Sequence, residues 1–131
     1  MLSRHGIATT MAPTSSIVPL ADLFIAFASS TIRWAIACGI PTVNYDVFHY
    51  HYGEYSGATG VETVDGSRAF REAVRSLTPG SPRMQALEAN ARQDRARWSV
   101  MDGRGIERIE LEIQRARERR AALFQEQQAN A

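Results

Sequence analysis

The sequence predicts an α/β fold: a partial Rossmann-like three-layer domain with a short parallel sheet of about three strands, flanking helices and a long C-terminal helix. Three observations predict it. Short apolar runs at Asp22 to Phe27, Thr42 to Tyr45 and Val61 to Val64 have strand length and composition. The first two are joined by Ser29-Ser30-Thr31, a helical stretch and Gly39-Ile40-Pro41, which is β-α-β order. After Val64 the apolar residues recur at helical spacing.

Residues 1–16 have neither helical nor strand period and are expected to form a frayed lead-in. Asp22 to Phe27 is nearly continuous in apolar character, as expected of a strand buried on both faces. Ser29, Ser30 and Thr31 are good N-cap residues, and Ile32 to Cys38 follows as a helix. Gly39 supplies the stop and Pro41 prevents continuation. Asp65-Gly66-Ser67 is a turn and helix start, and Phe70, Val74 and Leu77 share one helical face. Thr78-Pro79-Gly80 ends that helix, and Ser81-Pro82 caps the next, whose inner face is Met84, Leu87 and Ala91. Ile106, Ile109, Ile113 and Ala116 mark a last amphipathic helix that starts near Gly105 and frays beyond Phe124. The expected division is a lead-in at 1–16, a domain at 17–116 and a fraying helical tail at 117–131.

The turn at Ser29, Ser30 and Thr31 lies at the carboxyl end of a strand, where open α/β sheets bind ligands. Helix-start amides and small hydroxyls suit a phosphate there. From the turn alone, a plain helix cap is the simpler use. There is no GxGxxG fingerprint and no GxxxxGK[ST] loop, so neither a dinucleotide site nor a Walker site is supported.

A second segment, Tyr45 to Tyr55, crowds aromatics with Asp46, His49, His51 and Glu54 at the end of the next strand. Rings stack on bases and sugars, and imidazoles donate to phosphates or move protons. Three readings compete: a ligand loop, a metal site and a structural loop. His49 and His51 share a face if the segment is extended, with Asp46 and Glu54 nearby, but two histidines are a weak metal signal and no metal is expected. Asp46 is equally suited to capping the turn.

Composition is that of an ordinary α/β protein, with 44% apolar and 22% charged residues. The net charge of +1 gives no reason to expect a nucleic-acid partner. All 15 basic residues are Arg, and interleaved acidic residues make Arg92, Arg95 and Arg97 a wet helix face. The one cysteine, Cys38, precludes an internal disulfide and reads as packed. No run is long enough to span a bilayer and no signal peptide is evident, which fits the cytoplasm.

Ala21-Asp22-Leu23, Ser29-Ser30-Thr31, Ala35, Gly39, Pro41 and Val43-Asn44-Tyr45-Asp46 together resemble the carboxy-terminal, nucleotide-binding half of GT-B-type glycosyltransferases and their sugar-polymer relatives. Met101-Asp102-Gly103 followed by Glu107-Arg108-Ile109 is similar to the closing helix of such domains. The resemblance covers the stretch from Ile17 to Ile113. It implies that Ser29, Ser30 and Thr31 face the phosphates of a sugar nucleotide, which enters as a substrate with no further cofactor. One departure stands out: many relatives carry a Glu early in this helix that helps hold the donor, and Trp34 stands there, after Arg33. A Trp accepts no hydrogen bond from a ribose. Arg33 is suited to bidentate phosphate pairing, although a solvated helix residue is the simpler reading.

The resemblance thus implies the donor-binding part of a sugar transferase of surface-glycan synthesis, with Tyr45, Asp46, His49 and His51 contacting the donor base or sugar. No catalytic residue is assigned, because the base of inverting relatives usually lies in the other domain. At 131 residues the chain is one domain at most, so it is expected to be a fragment lacking the acceptor domain, with that missing domain or a second subunit as partner. A sugar-nucleotide epimerase of similar fold is a near neighbour of this reading. The competing class is a non-catalytic or degenerate nucleotide-binding or interaction module, which Trp34 favours.

Overall fold

The computed structural model describes residues 6–51, 53–98 and 102–129. Met101, part of the resemblance above, lies outside them. Residues 6–98 and 102–129 belong to two separate units.

The first unit is built on three parallel strands, β1 (Phe24–Ala26), β2 (Thr42–Tyr45) and β3 (Val61–Val64), in that order across the sheet. Phe24 pairs with Thr42, and Thr42 with Val61, so the carboxyl ends of all three strands share one edge. Around them run α1 (Thr14–Ile17), α2 (Ile32–Cys38), α3 (Ser67–Ser76) and α4 (Pro82–Trp98). Single 3-10 turns lie at Val18–Leu20 and Gly53–Tyr55. The architecture is α/β with helices flanking a short parallel sheet, as the sequence predicts.

Alternation along the strands sends successive side chains to opposite faces. On one face Ala26 packs with Ile32 and Ile36 of α2 and with Tyr55 and Ala58, and Phe24 and Val61 lie against them. On the other, Val43 packs with Leu77 and with Met84 and Leu87 of α4, beside Leu23, Val64 and Phe70. Fully burying a residue such as Ile32 contributes about 1.5–3 kcal/mol before entropy is counted. Thr42, Val43 and Asn44 are all buried, so β2 is the strand enclosed on both faces.

The first strand differs from expectation. It spans Phe24–Ala26 rather than Asp22 to Phe27, and it is an edge strand with Ile25 and Phe27 exposed. Apolar content there reflects a ring contact instead: Phe27 meets Tyr45 at 5.6 Å between centroids. The lead-in also differs, because a helical turn begins at Thr14, after Pro13. Pro presets φ near the helical value, and the amide of Ser16 donates to the Pro13 carbonyl at 2.9 Å.

The remaining elements start and stop for local reasons. Gly39 adopts φ 73°, and its amide and that of Ile40 close α2 on Ile36 and Ala35. Ser81 Oγ accepts the amide of Met84 at 3.1 Å, which caps α4. The second half of α4 passes the amino ends of β2 and β3. Arg95 lies against Gly39, and Ala91 lies against Gly60.

The second unit contains α5 (Gly105–Ala129). It is helical across residues 116–117 and past Phe124, where fraying was expected. Glu112 pairs with Arg115, and Gln114 donates to Glu118, one helical turn apart. No helix among the described residues is long and apolar enough to cross a membrane.

Candidate functional site

The turn at 27–31 and the loop at 46–51 leave adjacent parallel strands at the same edge of the sheet. Their local geometry is set by three buried side chains: Asn44, Asp46 and Tyr55.

Asn44 sits on the α2 face of β2 with 3% exposure. Its side-chain oxygen accepts the amide of Ala28 at 3.0 Å, and its side-chain nitrogen donates to Thr63 Oγ1 at 3.3 Å. A single amide therefore ties the ends of β1, β2 and β3 together. Ala28 has φ 43°, a left-handed conformation that disfavours a side chain. The Asn44 bond compensates for that strain and turns the chain sharply into Ser29.

Ser29 and Thr31 are partly buried and Ser30 is exposed. Ser29 Oγ and Thr31 Oγ1 are hydrogen-bonded at 2.8 Å, and Ser29 Oγ also accepts the Thr31 amide at 3.3 Å. The helix-start amides are not available as the sequence suggests. Those of Ile32, Arg33 and Trp34 donate to the carbonyls of Ser29, Ser30 and Thr31 at 3.0–3.1 Å, a tightened first turn. Among the described residues, the amides of Ser29 and Ser30 have no acceptor. Phosphate chemistry at this turn would therefore use those two amides and the hydroxyls, rather than the start of α2.

Arg33 is exposed and donates to Glu54 through Nε at 3.0 Å and through its terminal nitrogen. The hydrogen bond and the charge of Glu54 raise the guanidinium pKa further above its ordinary value. Beside it Tyr55 is buried, and its hydroxyl donates to the Ser29 carbonyl at 3.1 Å. Burial, and then the Glu54 charge, push the phenol pKa up against the opposing effect of Arg33, which keeps Tyr55 a donor. The sequence places Glu54 only near the two histidines of the metal alternative and assigns Tyr55 no role. Their signal is tertiary, since each meets a residue more than 20 positions away.

The 46–51 loop is organised by Asp46, which is 3% exposed. Its Oδ1 accepts the Tyr50 amide at 2.9 Å and its Oδ2 accepts the His51 amide at 2.7 Å. Burial acts to raise its pKa, but the two amides and the nearby imidazoles of His51 and His49 outweigh that and hold the carboxyl below its usual value. Asp46 is thus the cap of the loop, with both oxygens engaged. His49 and His51 have φ 53° and 51°, so the segment is left-handed at both positions and not extended. Their rings lie 6.1 Å apart, and both are exposed. No group of three or more His, Cys, Asp or Glu fit to hold a metal ion occurs among the described residues.

Tyr45 is half-buried and meets two rings. It stacks on Phe70 at 4.6 Å and 8°, and it meets Phe27 in a tilted contact at 5.6 Å. Phe48 and Tyr50 are exposed and lie 5.5 Å apart. Both are exposed rings of this loop, and Tyr45 is engaged in the fold. Trp34 is also exposed, at 47%.

No family model, curated protein or solved structure matches this chain.

Proposed function

We propose that this chain is the donor-binding part of a glycosyltransferase-like protein of surface-glycan synthesis, with a sugar nucleotide as its substrate. The observation that carries the reading is the shared carboxyl edge of β1 and β2, from which the Ser29 to Thr31 turn and the loop of His49 and His51 both emerge. Parallel sheets present ligands at this edge. The resemblance of the Ser-Ser-Thr turn and of the Val43 to Asp46 strand supports the choice of ligand.

In this reading the Ser29 and Ser30 amides and the Ser30 hydroxyl hold phosphate oxygens. His49 and His51, on a loop braced by Asp46, contact the phosphates or the sugar, and Phe48 or Tyr50 stacks on the base. Arg33 joins only if phosphate replaces Glu54 as its partner. The chain supplies binding and orientation, and the catalytic base is left to another domain.

A second reading, a non-catalytic nucleotide-binding or interaction module, is favoured by Trp34 in place of an acceptor and by the Arg33–Glu54 pair. One experiment separates the donor reading from an interaction module that binds no nucleotide. The purified chain is titrated with UDP, GDP, CDP, CMP and their sugars while its melting temperature is followed. Saturable stabilisation by one nucleotide, lost on Ser30→Ala with Thr31→Ala, is the expected result. A folded sample that responds to none of them rejects the donor reading.

A further inference from the structure

The seam of α5 has a regular heptad spacing that the donor reading does not use. Ile106, Ile109, Ile113, Ala116, Arg120 and Leu123 follow one another at alternating steps of three and four, the a and d positions of a coiled coil. The four large apolar side chains among them are between 49% and 73% exposed. A shallow groove of about 410 Å³ runs along Arg108, Ile109, Glu112, Ile113 and Ala116. Helices of this kind gain most of their stability from packing the apolar stripe against a partner.

We propose that α5 pairs with α5 of a second copy of this chain as an antiparallel two-stranded coiled coil. Charge on the positions flanking the seam selects this occupant. Glu110 and Glu112 flank its first half, and Arg117 and Arg119 flank its second. Antiparallel pairing about the Ile113–Ala116 layer sets Ile106 against Leu123 and Ile109 against Arg120 of the second copy. It then brings Glu110 beside Arg117 and Glu112 beside Arg119, and symmetry repeats both contacts. All four flank contacts join opposite charges. A parallel pair would keep only Glu112 with Arg117, and it would set Arg120 against Arg120 inside the seam. Complementary charge of this kind fixes partner and orientation more than raw affinity. Arg120 already lies over its own Phe124 ring at 5.9 Å, which allows its charge to leave the seam along the helix.

Sedimentation equilibrium of the full chain across the micromolar range tests the proposal, with helix content followed by circular dichroism. The expected result is a monomer–dimer equilibrium. Ile113→Asp should weaken it at least about tenfold. Glu110→Arg with Glu112→Arg, and separately Arg117→Glu with Arg119→Glu, should each give monomers, and mixing the two should restore a dimer. Orientation is read by oxidation in a Cys38→Ser background. Mixed Ile106→Cys and Leu123→Cys chains should cross-link to each other, and Ile106→Cys alone should not. A helical wild-type chain that stays monomeric overturns the proposal. So does a dimer indifferent to Ile113→Asp and to the charge variants, or one in which Ile106→Cys cross-links only to itself.

Discussion

The side-chain oxygen of Asn44 accepts the amide of Ala28 at 3.0 Å across the edge of the sheet. This one bond holds a left-handed alanine at the point where β1 turns into the Ser29 to Thr31 segment. The interior of the central strand and the geometry of the candidate phosphate turn are therefore the same piece of structure.

Asn44→Ala should leave the partly buried Ala28 amide without its partner and destabilise the first unit by about 1–3 kcal/mol. Any nucleotide affinity should fall with it, because the turn loses its anchor. Urea unfolding and nucleotide titration of the same variant check both effects.

Ala28→Gly should act in the opposite direction on stability. Glycine adopts the observed φ of 43° without a Cβ penalty. Strain relief offsets the added entropy of the unfolded chain, and a net gain of about 0.5–1 kcal/mol is expected in chemical unfolding.

Gly60 is constrained by space and not by its backbone angle. A Cβ there would lie 2.5 Å from Ala91 Cα and 2.7 Å from Ala91 N, where α4 meets the entry to β3. The Asp94 carboxylate seals the same contact by accepting the Gly60 amide at 2.6 Å. Gly60→Ala should cost about 1–3 kcal/mol by overpacking, and Asp94→Ala a similar amount by orphaning a buried amide. The double variant should cost less than the sum, since both changes open one contact. Thermal melts of the three variants measure this.

The 46–51 loop should be acid-labile. Folding depresses the pKa of Asp46, so its contribution is present above the unfolded value of about 3.9 and is lost as pH falls through the lower folded value. The Tyr50 and His51 amide resonances should shift together with a midpoint below that of a free aspartate. A midpoint at or above it would contradict the capping role. Asp46→Asn should remove this titration and broaden the same resonances.

Tyr55→Phe removes only the hydroxyl that meets the Ser29 carbonyl. A loss of about 0.5–1.5 kcal/mol is expected. Proton exchange at the Thr31 and Ile32 amides, which donate to Ser29, should quicken by more than the global stability change accounts for, which hydrogen-exchange NMR resolves.

Most element positions were legible because their signals are local. Thr42 to Tyr45 and Val61 to Val64 are strands as read, Ile32 to Cys38 is the helix between a hydroxyl turn and a left-handed Gly39, and Ser81-Pro82 opens α4. The edge position of β1 was not legible, because an apolar run reads alike whether its second face is covered by a helix or met by a single ring such as Tyr45. In the candidate site the turn and the loop stood out by composition. Their supports did not, because Asn44, Glu54 and Tyr55 look ordinary until the fold brings them to residues far along the chain.

By itself the sequence determined the β-α-β order, the helix stops, the capping serine at 81 and the apolar faces of the helices. These depend on backbone preferences and on periodicity within a few residues. Only the tertiary structure decided that Asn44 anchors Ala28, that Asp94 and Ala91 close on Gly60, and that Glu54 occupies Arg33. The physical reason is that a buried polar group must find its hydrogen-bond partner wherever the packed chain places one, and that place is set by the whole fold and not by the neighbouring residues.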